Sequence, residues 1–235
     1  MLAFVRSRDL AVLCGSAAVL AGCVPPIESS PPVSNPAAVQ ASARAGGADS
    51  PARIRFEWHY SDRRGAVSGE GVARYNPPDS VRLDLFTSGE IAMAVALRSG
   101  SLGSLGQIES VQLPDAPFLY AMAGLFEPAD SHNPANGHDP TGYVVNGDTV
   151  LVYPGPDDSR RYFFLHGSRI SKVEETRRGR TTRRVSLEWE SGAEWPSSVE
   201  YRDFQAPSRV SWDVTEVRAE EAPHAAEIFD LPAVP

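Results

Sequence analysis

The chain has 235 residues, a formal net charge of −8 and 42% hydrophobic residues. This length is sufficient to bury a substantial core, and the acidic balance disfavours nucleic acid as a partner. We therefore expect a globular domain that does not bind nucleic acid.

The N-terminus carries a short apolar segment behind two arginines, Arg6 and Arg8. Residues 10–20 are apolar, but the run is too short to cross a bilayer core, which needs about 20 residues. It ends at Leu20-Ala-Gly-Cys23. This arrangement resembles a bacterial lipoprotein signal peptide, which implies that residues 1–22 are removed and that Cys23 is lipidated.

The residue after this cysteine bears on localisation. In Gram-negative bacteria an Asp at this position resembles an inner-membrane retention signal, whereas Val24 stands here. We therefore expect a cell-envelope protein on the outer membrane, facing the periplasm and attached to the membrane through lipidated Cys23. Cys14 would leave with the signal, so we expect no disulfide.

Residues 23–51 are rich in Pro, Ala and Ser and contain almost no large apolar side chains. Such a segment cannot build a core, so we predict a disordered tether with a reach of roughly 30 Å. Residues 52–235 are predicted to form one domain.

Alternation of apolar and polar residues, rather than helical periodicity, runs through this predicted domain. In residues 54–60 every second residue is apolar, which indicates a half-buried strand. The same period returns in Val81/Leu83/Leu85, Ile91/Met93/Val95/Leu97, Val185/Leu187/Trp189 and Val210/Trp212/Val214. Asn146-Gly147 is the clearest hairpin signal among the turns. We expect about nine to eleven short antiparallel strands.

One internal stretch, residues 116–126, has helical spacing. Leu119, Met122 and Phe126 fall on one helical face, and Pro117 suits an early helical position.

Three segments resemble the LolA/LolB lipoprotein-carrier superfamily. Residues 80–97 are similar to its strand, glycine-containing loop and second strand, residues 117–126 to its lid-like helix, and Phe229-Asp-Leu-Pro232 to its common C-terminus. The cysteine motif and the tether make the chain more similar to LolB than to LolA, which is soluble.

The resemblance implies a mainly β fold, in which a strongly curved antiparallel sheet forms a half-open barrel with a short helical lid. It also implies an apolar cavity that accommodates the acyl chains of lipoproteins or lipids, and a periplasmic carrier protein as a partner.

Ten apolar residues are candidates for lining this cavity, because they lie on the inward faces of predicted strands or on the predicted helix. They are Phe56, Trp58, Leu83, Leu85, Ile91, Met93, Val95, Phe118, Met122 and Phe126. Periodicity leaves two alternatives open, since the same residues either fill a packed barrel core or surround a vacant cavity.

In LolB-like proteins an exposed hydrophobic residue, on the loop after the Leu-x-Leu strand, is linked to lipoprotein transfer. The matching loop here offers Phe86 or Ile91 as the transfer residue. The Pro-Leu-Gly character of the family loop is missing, and Ile91 also suits the start of the next strand.

Five arginines occur within eight residues of this acidic chain: Arg177, Arg178, Arg180, Arg183 and Arg184. Such density suits contact with anionic lipid head groups or an acidic partner. The alternative is a solvated hairpin whose charges are balanced by glutamates nearby.

Signals of catalysis are weak. Ser101 and Ser104 lack the Gly-x-Ser-x-Gly spacing of a nucleophile elbow, and Gly69-Glu70-Gly71 lacks the third glycine of a dinucleotide loop. We interpret His132 and His138 as turn residues rather than metal ligands. We expect no enzyme activity, no cofactor and no metal site.

Two classes of function remain open. The first is a lipid-handling binding protein, possessing a cavity that shields acyl chains and acting in lipoprotein localisation. The second is a structural or assembly lipoprotein of the envelope, with a filled barrel and a protein-docking surface. A hydrolase ranks third because no catalytic triad can be drawn.

Overall fold

The computed structural model describes residues 27–106, 111, 113–128, 139–155 and 157–232. This part of the chain contains twelve strands, two α-helices and two 3-10 helices, Ile27–Ser29 and Ala226–Phe229. The α-helices are α1 (Pro36–Arg44) and α2 (Ala116–Met122). The strands are β1 (Ala52–Asp62), β2 (Ala66–Asn76), β3 (Ser80–Thr87), β4 (Glu90–Arg98), β5 (Ser101–Gly106), β6 (Thr141–Val145), β7 (Asp148–Pro154), β8 (Ser159–His166), β9 (Arg169–Arg177), β10 (Arg180–Glu188), β11 (Ser198–Asp203) and β12 (Ser208–Ala219).

All twelve strands belong to one antiparallel sheet with the order β5-β4-β3-β2-β1-β12-β11-β10-β9-β8-β7-β6. The last strand, β12, pairs with β1 and so joins the two halves of the sheet in its middle. Strands β5 and β6 lie at opposite ends and do not pair in the described part of the chain, so the sheet is not closed into a barrel. The strand count exceeds the predicted nine to eleven by one.

The sheet curves around helix α2. This helix contacts β4 and also β9, β10 and β11. In a flat sheet β4 and β9 would lie seven strand spacings apart, about 34 Å, which is far more than the ~10–12 Å diameter of a helix. The predicted fold class, a mainly β half-open barrel with a short helical lid, is confirmed.

Alternation in β1 defines the two faces of the sheet. Ile54, Phe56, Trp58 and Tyr60 are each at most 4% exposed, and the residues between them are exposed. We call the face of these four residues the inner face. Two large rings of this face lie over the small residues of the paired strand β2, since Gly71 pairs with Phe56 and Gly69 with Trp58.

The predicted disordered tether requires correction over its C-terminal part. Residues 36–44 form α1, in which Asn35 caps the N-terminus by accepting a hydrogen bond from the amide of Ala38 at 3.0 Å. The helix packs on the domain through buried Ala43 and half-buried Val39. Ala is the best helix former and Asn before Pro is a helix-start signal, which outweighed the low hydrophobicity. The signal segment and Cys23 lie outside the described residues.

Both edges of the open sheet are covered by terminal segments. At the β6 edge, the amide of Val33 donates to the carbonyl of Gly142 at 2.8 Å, and the amide of Val144 donates to Pro31 at 2.9 Å. At the β5 edge, the amide of Ser104 donates to the carbonyl of Pro232 at 2.8 Å. These contacts occupy backbone groups that an edge strand otherwise offers to another chain.

The C-terminal segment is held across the outer face by several further contacts. Phe229 is 4% exposed, and Arg82 donates to the carbonyl of Ile228 at 2.8 Å. Arg98 pairs with Asp230 at 2.8 Å. No helix among the described residues has the length and apolarity needed to span a membrane.

Gly71→Ala should destabilise the protein, because a Cβ at this position would lie 2.2 Å from Cζ of Phe56. We expect a loss of about 1–3 kcal/mol in the free energy of unfolding, the usual cost of overpacking, measured by urea denaturation. Gly65→Ala is the matched control, since nothing lies within 4 Å of its added Cβ. Equal stability of the two variants would contradict the ring-over-glycine packing.

Candidate functional site

The inner face and α2 enclose the main apolar core of the protein. Eight of the ten predicted cavity residues belong to one buried cluster: Phe56, Trp58, Leu83, Met93, Val95, Phe118, Met122 and Phe126. Leu85 is half-buried and packs against this cluster. The structure therefore brings nine of the ten residues together, on β1, β3, β4 and the α2 segment.

Ile91 is the exception among the predicted cavity residues. Its side chain is 56% exposed, so it does not line the interior. The pairing of β3 with β4 shifts register after Leu85, which pairs with Met93, so that Phe86 pairs with Ile91 and Ala92 is skipped. This bulge breaks the alternation on which the prediction rested, and Ala92 packs against the core instead.

A small apolar cavity remains between the inner face and the end of α2. Its volume is about 30 Å³, which is room for about two water molecules. Its lining includes Phe56, Leu83 and Met122 from the predicted set, together with Tyr75, Trp195 and Trp212, which sequence reasoning did not single out. Side chains thus leave little room between the inner face and the end of α2.

A second cavity, about 200 Å³ in volume, lies beside the C-terminal end of α2. It is bordered by Tyr120, Leu125 and Phe126 and by the ion pair of Arg44 with Glu127, whose nitrogen and oxygen are 3.9 Å apart. This cavity is therefore lined by core side chains on one side and by an ion pair on the other.

Helix α2 is apolar on all sides. The six residues 117–122 are all buried, with exposures of at most 2% for residues 118–122. The helix ends before Gly124, whose φ of +74° suits glycine at a helix C-terminus. Tyr120 accepts a hydrogen bond from the amide of Gly100 at 3.0 Å, and burial raises the pKa of its hydroxyl to about 12. A helix that is hydrophobic all round needs apolar partners on every side, and the curved sheet supplies them.

Charged residues of the sheet hold the N-terminus of α2. Arg183 on β10 binds Asp115, the residue before α2, with Nη1 2.9 Å from Oδ2. The same guanidinium donates to both carboxylate oxygens of Glu175, at 2.7 and 2.8 Å. Arg161 on β8 donates to Glu175 at 3.1 Å. We call Asp115, Arg161, Glu175 and Arg183 the charged anchor.

The two arginines of the charged anchor also make cation–π contacts with Phe118, the first aromatic residue of α2. The guanidinium carbons of Arg183 and Arg161 lie 4.7 and 5.3 Å from the centre of the Phe118 ring. Burial opposes ionisation of Glu175, but hydrogen bonds and charge from Arg183 and Arg161 outweigh it, so its pKa lies below the ordinary value of 4.5. The carboxylate therefore stays ionised inside the rim of the barrel.

Sequence reasoning missed this anchor except for Arg183. A signal was present, because Arg183 continues the inward row of Val185 and Leu187, and Arg161 continues that of Phe163 and Leu165. Charged residues at inward positions of alternating strands indicate a buried ionic network.

The two candidate transfer residues lie on the outer face. Phe86 is half-buried and pairs with Ile91, which is exposed. A groove of about 630 Å³ passes Phe86 and also borders Arg55, Glu57 and Glu70. The transfer role of Phe86 or Ile91 stays a prediction.

The five clustered arginines divide into two groups. Arg177 pairs with Asp157 at 3.0 Å, Arg183 belongs to the charged anchor, and Arg184 pairs with Glu174 at 2.6 Å. Arg178 and Arg180 flank the β9–β10 turn, are exposed, and form no ion pair in the described part of the chain. The contact of the five arginines with an anionic surface stays a prediction, and Arg178 and Arg180 are the two whose charges are unpaired among the described residues.

Of the remaining predicted features, His132 and His138 lie outside the described residues. Within the residues that are described, no three His, Cys, Asp or Glu side chains are grouped so as to hold a metal ion.

Comparison with known proteins identifies the fold. No family model and no curated protein matches the sequence. Solved structures from three bacteria are similar in fold.

A LolA superfamily protein from Nitrosomonas europaea has a TM-score of 0.50 at 11% identity, over 82% of this chain and 96% of that one. A DUF1329 family protein from Desulfovibrio piger has a TM-score of 0.54 at 9% identity, over 86% and 98%. An outer membrane lipoprotein-sorting protein domain from Vibrio parahaemolyticus has a TM-score of 0.53 at 10% identity, over 82% and 95%. The predicted resemblance to the LolA/LolB superfamily is confirmed at the level of the fold.

Arg183→Ala should destabilise the protein far more than Arg184→Ala. The first change leaves the half-buried carboxylate of Glu175 short of its main partner, at an expected cost of about 2–4 kcal/mol. The second removes an ion pair of the outer face, worth at most about 1 kcal/mol. Denaturant unfolding of both variants checks the difference, and equal losses would show that the charged anchor does not stabilise the fold.

Acidification should destabilise the protein partly through Glu175. Its pKa is lowered in the folded state, so its contribution is complete above the unfolded value of 4.5 and is lost as pH falls through the folded pKa. The difference in unfolding free energy between about pH 7 and pH 3 should therefore be smaller in Glu175→Gln than in wild type. Glu190→Gln controls for net charge, and an unchanged difference in Glu175→Gln would contradict this assignment.

Proposed function

We propose that this protein is a lipid-anchored carrier that accommodates acyl chains of lipoproteins or lipids between its inner face and α2. The observation that supports this most directly is the apolar helix α2, which contacts strands on both sides of an open, curved sheet. Covalent attachment through Cys23 would hold the carrier at the outer membrane, facing the periplasm.

The fold supports this proposal. One of the similar structures is described as an outer membrane lipoprotein-sorting protein domain, and another as a LolA superfamily protein. The lipoprotein-sorting description supports lipoproteins as the class of cargo. The resemblance to the LolA/LolB superfamily implies that the acyl chains of lipoproteins or lipids are bound and that a periplasmic carrier protein is the partner. No step of carriage requires a catalytic residue, so we propose a binding protein and not an enzyme.

Entry of an acyl chain requires movement of α2. The apolar cavity of about 30 Å³ is far too small for a fatty acyl chain, and α2 occupies the space beside the inner face. Each methylene group of the cargo buried there would contribute about 0.8 kcal/mol to the free energy of binding. This gain would offset the loss of the apolar contacts that α2 gives up when it moves. Cargo and helix therefore compete for one surface.

In this proposal the charged anchor is the point at which the helix is released. Oδ1 of Asp115 and Nε of Arg161 are buried and have no hydrogen-bond partner among the described residues. A buried network that is only partly satisfied opens at a lower cost than a complete one. The N-terminus of α2 is thus held by strong but imperfectly matched contacts.

A second function, an assembly lipoprotein with a docking surface, is favoured by the small volume of the apolar cavity between the inner face and α2. In that case residues such as Phe56, Leu83 and Met122 would form a permanently packed core that no cargo enters.

The two functions differ in what the purified protein retains. We expect organic extraction of the full chain, prepared without acylation as Cys23→Ser, to release fatty acyl lipids that mass spectrometry identifies. We also expect a fluorescent fatty acid to bind and to be displaced by those lipids. Ala73→Phe, which adds a ring to the lining of the small cavity, should weaken probe binding at least tenfold.

Ala66→Phe, at the exposed start of β2, is the matched control and should bind like wild type. Thermal unfolding of both variants verifies that they fold. A wild-type protein that retains no lipid and does not bind the probe would overturn the carrier proposal and favour the assembly function.

A further inference from the structure

One end of the sheet carries a row of adjacent turns. In an antiparallel sheet alternate turns lie at the same end, so the β7–β8, β9–β10 and β11–β12 turns are neighbours. Two contacts bridge these turns: Arg177 binds Asp157, and the amide of Phe204 donates to the carbonyl of Thr182 at 2.8 Å. We call these three turns the basic rim.

The basic rim presents free positive charge. Arg178 and Arg180 are exposed and have no ion pair in the described part of the chain. Two of the three rim carboxylates are already engaged, because Asp157 binds Arg177 and Asp203 accepts the amides of Gln205 and Ala206. Asp158 remains as an exposed acid, and the neutral amides leave the charge of Asp203 in place, so Arg177, Arg178 and Arg180 equal the three carboxylates in number. The positive charge is therefore local to the β9–β10 turn, where Arg178 and Arg180 have no ion-pair partner among the described residues.

An aromatic side chain accompanies these charges. Phe204, at the tip of the β11–β12 turn, is 44% exposed and lies 5.7 Å from the guanidinium carbon of Arg184. The rest of that turn, Gln205, Ala206 and Pro207, is exposed and uncharged. Arginines beside an exposed aromatic ring match the head groups and the acyl boundary of a membrane surface.

The N-terminal chain reaches the same end of the sheet. Glu28 accepts a hydrogen bond from Tyr162 at 2.9 Å and pairs with Arg160, which is the second residue of β8 after the β7–β8 turn. Cys23 precedes Glu28 by five residues, which span at most about 18 Å. A lipid on Cys23 would therefore hold this end of the domain near the bilayer.

We propose that the basic rim docks on anionic phospholipid head groups, with Arg178 and Arg180 at the phosphates and Phe204 at the acyl boundary. The inference goes beyond the carrier function and does not depend on it, because a filled barrel would dock in the same way. It orients the domain with the β9–β10 hairpin toward the membrane and the opposite end of the sheet away from it.

Vesicle co-sedimentation tests the proposal on the full chain carrying Cys23→Ser, which has no acyl anchor. Binding contributed by the apolar N-terminus is common to all variants and cancels in the comparison. The protein should bind vesicles of phosphatidylglycerol and phosphatidylethanolamine more tightly than phosphatidylcholine vesicles, and salt should weaken that preference. Arg178→Gln/Arg180→Gln should lower partitioning onto the anionic vesicles about 25-fold, or about fivefold for each arginine.

The matched control is Arg55→Gln/Arg218→Gln, which removes the same charge from exposed positions of the outer face and should leave binding nearly unchanged. Phe204→Ser should weaken binding without altering its salt dependence. Equal effects of the two double variants, or equal binding of wild type to both kinds of vesicle, would overturn the proposal. Retention on an immobilised acidic peptide without any vesicle binding would instead assign the arginines to a protein partner.

Discussion

The structure depends on covering the apolar inner face of a sheet that does not close. A closed barrel satisfies such a face with its own opposing strands, but here β5 and β6 do not pair among the described residues, and α2 takes the place of the missing contacts. Burial of a Leu, Phe or Met side chain contributes about 1.5–3 kcal/mol, and α2 buries Phe118, Leu119 and Met122 completely. In the proposed carrier, cargo that enters the barrel would therefore have to offset much of the free energy that this short helix contributes by burial.

The unclosed sheet also has two edges, and the chain termini cover both. Residues 31–33 bond to β6, and Pro232 bonds to β5. Unprotected edge strands invite pairing with other chains, so these segments are part of the fold rather than appendages to it. The consequence for membrane attachment is geometric. A long tether was predicted, but ordered packing from Ile27 onward means that a lipid on Cys23, as proposed, would be attached within a few residues of the domain.

Much of the fold was predictable from the sequence because strand alternation reports burial directly. The period of two residues identified the inner face at Ile54, Phe56 and Trp58, and it failed at Ile91 because a bulge adds a residue that no periodicity reveals. Helix α1 was missed because composition was weighed above the Asn35-Pro36 start signal. The degree of filling was not predictable either, since cavity volume depends on how side chains from distant strands meet.

The two proposals converge on the β9–β10 hairpin. Its turn presents Arg178 and Arg180 to the proposed membrane surface, while Glu175 and Arg183, a few residues along its two strands, hold the N-terminus of α2. Three residues of strand span about 10 Å, so Arg183 lies about that far from the docking charges at Arg180. An acyl chain leaving the bilayer at the basic rim would therefore meet the charged anchor before any other part of the helix. Because two buried polar atoms of this anchor have no hydrogen-bond partner among the described residues, the proposed carrier would open at the N-terminal end of α2 rather than at its end near Tyr120.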